Sequence, residues 1–193
     1  MLYFDATLRG DQSSTLPISN NMYIYPSFSG SFVFSELLKL GDKLPYGKVR
    51  MSWAQVGSDT DPYQLGLVYT KSKFAYPGYT IGYISNGTIP NKDLKPTKTN
   101  SFEMGLELKF LKNRIGLDFT YYSQLSKNQI MGMASSSTSG YGYRLINAGE
   151  IENKGVEIAL NTRPIQTKDF SWDLNFNFSK NSNKVKKLVD DMD

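Results

Sequence analysis

Apolar and polar side chains alternate along most of the chain, and the alternation recurs in about seven segments divided by turn chemistry. In residues 2–9, Leu2, Phe4, Ala6 and Leu8 share one face while Tyr3, Asp5, Thr7 and Arg9 share the other, because successive strand side chains point oppositely. Residues 23–35 set Ile24, Phe28, Phe32 and Phe34 against Tyr25, Ser27, Ser29 and Ser31. Pro26 is expected near that strand's end or at a bulge. Residues 48–57 oppose Val49, Met51 and Trp53 to Lys48, Arg50, Ser52 and Ala54.

Residues 101–110 are the cleanest, with Phe102, Met104, Leu106, Leu108 and Phe110 against Ser101, Glu103, Gly105, Glu107 and Lys109. The polar turn Lys112-Asn113-Arg114 leads into residues 115–122, where Ile115, Leu117, Phe119 and Tyr121 oppose Gly116, Asp118, Thr120 and Tyr122. These two segments predict a hairpin. Residues 153–162 oppose Val156, Ile158 and Leu160 to Gly155, Glu157 and Ala159, with Pro164 expected to close the strand. Residues 170–179 place Phe170, Trp172, Leu174, Phe176 and Phe178 on one face and Asp173, Asn175 and Asn177 on the other.

The intervening connections tend to alternate between short and long, the longest being 58–100 and 132–152. Outer-membrane barrels show that asymmetry, with short periplasmic turns and long outer loops. Residues 36–47 depart from it: Leu37, Leu38, Leu40 and Leu44 read as a short amphipathic piece, a helical turn that periodicity alone does not place. Residues 135–140, all Ser, Thr or Gly, read as a flexible loop tip.

Composition narrows the chemistry. Aromatics make up 13% of the 193 residues, with 13 Tyr and 11 Phe, a bias that favours strands. The chain has 0 Cys and 0 His, which removes disulfide frameworks, zinc fingers and every Ser-His or Cys-His catalytic arrangement. The net charge of +4 is scattered rather than gathered into a basic stripe, so no nucleic-acid partner is expected. No stretch approaches the roughly 20 apolar residues of a membrane helix. A membrane barrel, whose strands are apolar at every second position, is compatible with the mean hydropathy of −0.41. The chain is expected to open inside a strand, since Leu2–Arg9 already alternates and carries no leader pattern.

Alternation with one apolar face also describes a half-buried sheet in a soluble sandwich. Three details favour the barrel. Charges stand at mid-strand on the polar face (Arg50, Glu103, Glu107, Asp118, Asp173), the apolar faces are nearly complete, and Phe102, Phe110, Phe170 and Phe178 lie near strand ends, where interfacial girdles form.

The segment from Asn91-Lys92-Asp93-Leu94-Lys95-Pro96 to Glu103-Met104-Gly105-Leu106-Glu107 resembles the N-x-D-L-K-P-E-x-[ST]-x-x-x-E-x-G-L-E pattern of TonB-dependent outer-membrane receptors, with Thr97 where the family usually has Glu. Asn147-Ala148-Gly149-Glu150-Ile151-Glu152-Asn153-Lys154-Gly155-Val156-Glu157 resembles the N-x-G-E-[IV]-x-N-K-G-[FVW]-E signature of the SusC/RagA branch. Residues 6–14 resemble A-T-x-R-x-D-G-S-S, with Gln12 replacing the usual Gly; Tyr25-Pro26-Ser27-Phe28-Ser29 and Lys48-Val49-Arg50-Met51-Ser52-Trp53 add weaker matches in family order.

The resemblance implies an outer-membrane nutrient importer with a barrel of roughly 22 strands, an N-terminal plug, a TonB-contacting segment and a SusD-like lipoprotein lid that captures glycans or peptides. The chain resembles only the later-middle part of that barrel. The expected fold is therefore all-β, an antiparallel meander forming part of a transmembrane β-barrel. Residues 1–180 are expected to be a partial barrel domain, and 181–193 a polar turn or tail leading to further strands. About seven strands fall short of a closed single-chain barrel, so the chain is expected to be a fragment, not functional by itself. Its implied partners are the rest of the barrel and its plug, TonB, the SusD-like lipoprotein, membrane lipid and a glycan or peptide nutrient. No cofactor is implied.

The candidate substrate-contacting residues lie in the long loops: Tyr63, Tyr69, Tyr76, Tyr79 and Tyr83 in the first, Tyr141, Tyr143 and Arg144 in the second. A Tyr offers a flat apolar ring and a hydrogen-bonding tip, which suits glycan or peptide capture at a wet surface. Long ordered loops must also fill their own interior, and that use of the rings, together with Phe74, is the favoured expectation. Asp59-Thr60-Asp61 supplies too few of the about six to eight oxygens that calcium takes and reads as an ordinary turn. Glu103, Glu107, Asp118 and Asp173 read as a lumen ladder paired with Lys48, Arg50 and Lys109, not as catalytic carboxylates. Asn86-Gly87-Thr88 matches a glycosylation sequon, without meaning in a bacterial chain. A soluble β-sandwich that binds carbohydrate is the alternative function, and an enzyme the least favoured.

Overall fold

In the computed structural model, which describes residues 1–41, 44–67, 69–73, 77–84 and 87–188, the alternating segments become strands of one sheet. The strands are β1 (Leu2–Gln12), β2 (Met22–Val33), β3 (Tyr46–Ser58), β4 (Tyr69–Lys71), β5 (Gly82–Ile84), β6 (Thr88–Ile89), β7 (Thr97–Phe110), β8 (Ile115–Lys127), β9 (Ile130–Ala134), β10 (Tyr143–Asn147), β11 (Glu150–Gln166) and β12 (Ser171–Lys187). The long ones form a 7-stranded sheet in the order β1-β2-β3-β7-β8-β11-β12, antiparallel throughout. This is the expected all-β meander. The short strands make a 3-stranded and a 2-stranded sheet inside the long connections. No second sheet faces the large one among the described residues, since its strands meet their neighbours edge to edge. A sandwich core is therefore not what the apolar face builds.

Register assigns the faces. Leu106 pairs with Phe119, Phe119 with Ile158 and Leu160 with Phe176, and residues directly opposite share a face. Leu106, Leu108, Phe119, Ile158, Leu160, Leu174 and Phe176 thus stand together. The other face takes Glu103, Glu107, Asp118, Glu157 and Asp173, with Lys48 opposite Glu107 and Glu107 opposite Asp118.

Several strands outrun the alternation. Pro164 does not end β11; the register shifts between Thr162 and Ile165, and the bulge lets the strand continue to Gln166. Pro26 lies inside β2, but pairing with β3 begins only at Ser27, so no ladder bond to β3 is lost. Residues 181–187, expected to form a polar turn or tail, continue β12: Asn183 pairs with Asn153 and Val185 with Ile151. They carry no apolar face to detect, and Lys186 instead meets Glu152 at 3.2 Å. Residues 189–193 lie outside the described residues.

Because the strands alternate in direction, connections 13–21, 59–96 and 128–149 emerge at one end, and 34–45, 111–114 and 167–170 at the other. The two long loops share an end, as expected from the strand count. The 111–114 turn is made by three consecutive residues at positive φ, Leu111, Lys112 and Asn113. The amphipathic piece is the short helix α1 (Phe34–Leu38), whose ring at Phe34 covers Gly47.

The buried cluster lies at the long-loop end. Leu94, 0% exposed, packs with Leu16 and Leu145, flanked by Tyr23, Leu65 and Ile130. Polar contacts converge there too. The Asn147 carboxamide accepts from the Lys95 N–H at 2.7 Å through Oδ1, and its Nδ2 donates to the Lys95 carbonyl at 2.6 Å and the Asn128 carbonyl at 3.1 Å. One side chain thus imitates a strand neighbour for the backbone leading into β7. β6 pairs in parallel with β10, joining the two long loops directly. Ser13 and Thr15 donate to Asp59, which ties in the first connection.

Two expectations follow. Asn147→Ala should cost about 1–3 kcal/mol by orphaning the Lys95 and Asn128 groups, read as faster hydrogen exchange at Lys95 with the sheet amides of β8 unchanged. The purified 193-residue chain should sediment as aggregates without detergent. Its apolar face exposes Phe4 at 74% and Phe176 at 59%, part of a patch well beyond the few hundred Å² that soluble monomers tolerate; a sharp monomer with a cooperative melt would contradict this.

Candidate functional site

The long-loop rim carries most of the predicted aromatics exposed. Tyr63 is 80% exposed, Tyr79 73% and Tyr69 67%; Tyr83 and Tyr143 are also open, and Tyr141 is half-buried. The expectation that these rings fill the loop interior is overturned for the open ones: leucines from three connections occupy that space. Phenolic rings end in a group that wants water or a partner, whereas Leu94 and its neighbours bury without polar cost.

The rings do not form one patch. In the β4–β5 hairpin, Tyr69 pairs with Ile84 and Tyr83 with Thr70, so the two rings leave opposite faces. Tyr79 lies in the tip of that hairpin. Tyr143 starts β10, with its Cβ against Gly132, and the exposed Arg144 follows on the other face. Tyr76, Phe74 and Asn86 of the sequon lie outside the described residues. Ser135, Ser136, Thr138 and Ser139 bond among themselves around the one-turn 3₁₀ helix Ser137–Ser139, so the loop tip is locally organised.

The polar face of the sheet is the second candidate. Arg50 lies opposite Gly105 and reaches across it to β8, donating to both Asp118 oxygens at 2.9 Å and to Thr120 Oγ1 at 2.6 Å. A Cβ on Gly105 would stand 2.4 Å from the Arg50 Nε, so the glycine is what opens the path. Glu103 lies 3.9 Å from the same guanidinium, and Glu107 3.8 Å from Lys109. Asp173 pairs with Arg163 on the bulge, a partner outside the predicted set. Lys48 forms no ion pair among the described residues, although its register faces Glu107. With Arg50, Lys109 and Arg163 set against Glu103, Glu107, Asp118 and Asp173, this face carries a ladder of charge pairs within and between strands.

Asp59 accepts from both Ser13 and Thr15 through one carboxylate oxygen, which ties the end of β3 to the first connection. Among the described residues no group of three acidic side chains could hold a metal. Periodicity did not single out Asn147, Leu94 or Arg163 as contact makers. The first two were visible only as letters within the two resemblance patterns.

The comparisons agree with this geometry. The family model "TonB dependent receptor-like, beta-barrel" matches residues 2–191. TonB-dependent receptor P3 of Formosa agariphila is 31% identical over 97% of the chain, and TonB-dependent receptor SusC of Bacteroides thetaiotaomicron is 31% identical over 98%. The chain spans about a fifth of each, 19% and 20%. Among solved structures, the RagAB peptide transporter superposes with a TM-score of 0.88 at 25% identity, over 97% of this chain and 21% of that one. The RagAB peptide importer in its 'closed-closed' state gives 0.89 at 24% identity, over 99% and 21%. The family match covers nearly the whole chain, and the chain belongs to the TonB-dependent receptor β-barrel family of the outer membrane.

Proposed function

We propose that this chain forms the wall and part of the outer rim of an importer for glycans or peptides, acting with a plug inside the barrel, TonB beneath it and a SusD-like lipoprotein above. The observation that carries the reading is a sheet apolar on one face and ion-paired on the other, which suits a wall between lipid and a polar interior. RagAB, a peptide transporter at 25% identity, supports a peptide cargo, and the glycan alternative rests on the resemblance of residues 147–157 to the SusC/RagA signature. The ionic face takes a hydrated plug rather than a reacting group, so no catalysis is assigned. Concavities of about 430 and 450 Å³ flank Arg50 on that face. The exposed Tyr63, Tyr69, Tyr79, Tyr83, Tyr143 and Arg144, with Tyr76 and Tyr141, are the residues through which the rim meets nutrient or lid. As a piece of wall with two open edges, the isolated chain transports nothing.

Trypsin tests the topology, because the chain offers cleavage sites at both ends of the sheet. Added to intact cells making the full-length receptor, it should cut after Lys71 or Lys73 in the first long loop and leave Lys112 and Arg114 untouched. Cleavage at the short turn with the long loops spared would overturn the orientation and, with it, the assignment of the rim to the nutrient side.

A further inference from the structure

The stretch between β2 and β3 has no part in the wall or the rim. α1 leaves β2 at the short-turn end, and its first residue lays its ring over Gly47, where a Cβ would stand 2.5 Å from Phe34 Cζ. Gly47 pairs with Leu108, and Leu108 with Leu117, so the Phe34 ring lies on the apolar face of the sheet. Positions three and four residues apart share one side of a helix. Leu37 and Leu38 therefore follow Phe34 on its side, while Glu36 is turned from it. Both leucines are uncovered, at 69% and 59% exposure, and Leu40 is 39% exposed. Lys39, between them, ends the helix in the left-handed conformation with φ 47° and is exposed as well.

Uncovered leucines bracketing a lysine, at the margin of a face already given to lipid, match an interfacial element rather than a core one. Such elements bury an apolar side in the headgroup and acyl boundary and keep a cation at phosphate level. We infer that α1 and the turn after it are a membrane foot: Leu37, Leu38 and Leu40 enter the phospholipid leaflet at the short-turn end, and Lys39 meets its phosphates. The occupant is lipid because Phe34 makes the foot continuous with the outward band of Phe32, Val49 and Leu108. The inference rests on the barrel reading above.

The chain itself has no cysteine, so single labels can be placed in a full-length receptor made cysteine-free elsewhere and set in phosphatidylethanolamine–phosphatidylglycerol nanodiscs. Environment-sensitive fluorophores would be attached at Leu38→Cys, at Leu37→Cys as a second foot position, at Leu117→Cys on the outward face and at Asn113→Cys in the neighbouring turn. A lipid carrying a nitroxide near its headgroup should quench the foot labels, and aqueous iodide should quench them about threefold less than the Asn113 label, given burial of about 5–10 Å. Foot labels quenched by iodide as fully as Asn113 would overturn the foot, as would labels shielded from both quenchers, which would mean a protein occupant. If the Leu117 label also escaped the lipid quencher, the barrel reading itself would fall, so the two failures are distinguishable.

Discussion

Pairing of each long strand's backbone with its sequence neighbours is the constraint on which everything else rests. In a bilayer no water reaches an unpaired N–H or C=O, so the sheet must satisfy its own interior groups strand by strand. That requirement locks the register, and the register decides which side chains see lipid and which see the interior. A one-residue slip between β7 and β8 would bring Glu103, Glu107 and Lys109 onto the face of Phe119. The ion pairs and the outward apolar band are two consequences of one alignment.

Glycine tunes the polar side of that alignment. At Gly105 the missing Cβ lets Arg50 cross a whole strand to reach Asp118 and Thr120, so three strands share one charge-assisted contact. At Gly155 the ring of Tyr122 fills the space, with a hypothetical Cβ 2.6 Å from its hydroxyl, so a large side chain from one strand covers a bare backbone on the next. Both devices pack the interior face with side chains that end in a polar group, which a polar interior accommodates.

The loop end is held differently, because there the strands part and the ladder can no longer do the work. Asn147 substitutes a carboxamide for a neighbouring strand at Lys95, while Leu94 beside it is sealed among leucines from the other connections. The two stretches that carry the family resemblance, one around Leu94-Lys95-Pro96 and one beginning at Asn147, are therefore each other's partners in space. With the loop roots fixed this way, the tyrosines are left free at the rim. In consequence the rim can vary in its contacts while its base remains anchored.

The strands, their faces and the end at which each loop emerges were legible in the sequence alone, because a period of two is a local property and sequence neighbours pair with each other. Alternation reads only the half-buried part of a strand, however. It stopped at residue 180, where β12 runs on with polar residues on both faces, and at Pro164, which a bulge absorbs. The roles of the loop residues were not legible either. Tyr79 and Leu94 are both apolar rim residues by sequence, and which one is buried depends on what Leu16 and Leu145 bring from distant connections. Likewise Asp173 chose Arg163 over the expected cations because the bulge turned Arg163 toward it. The leucine contacts join segments far apart in the chain, and the bulge is a departure from the alternation that periodicity cannot show, so only the tertiary structure could decide either.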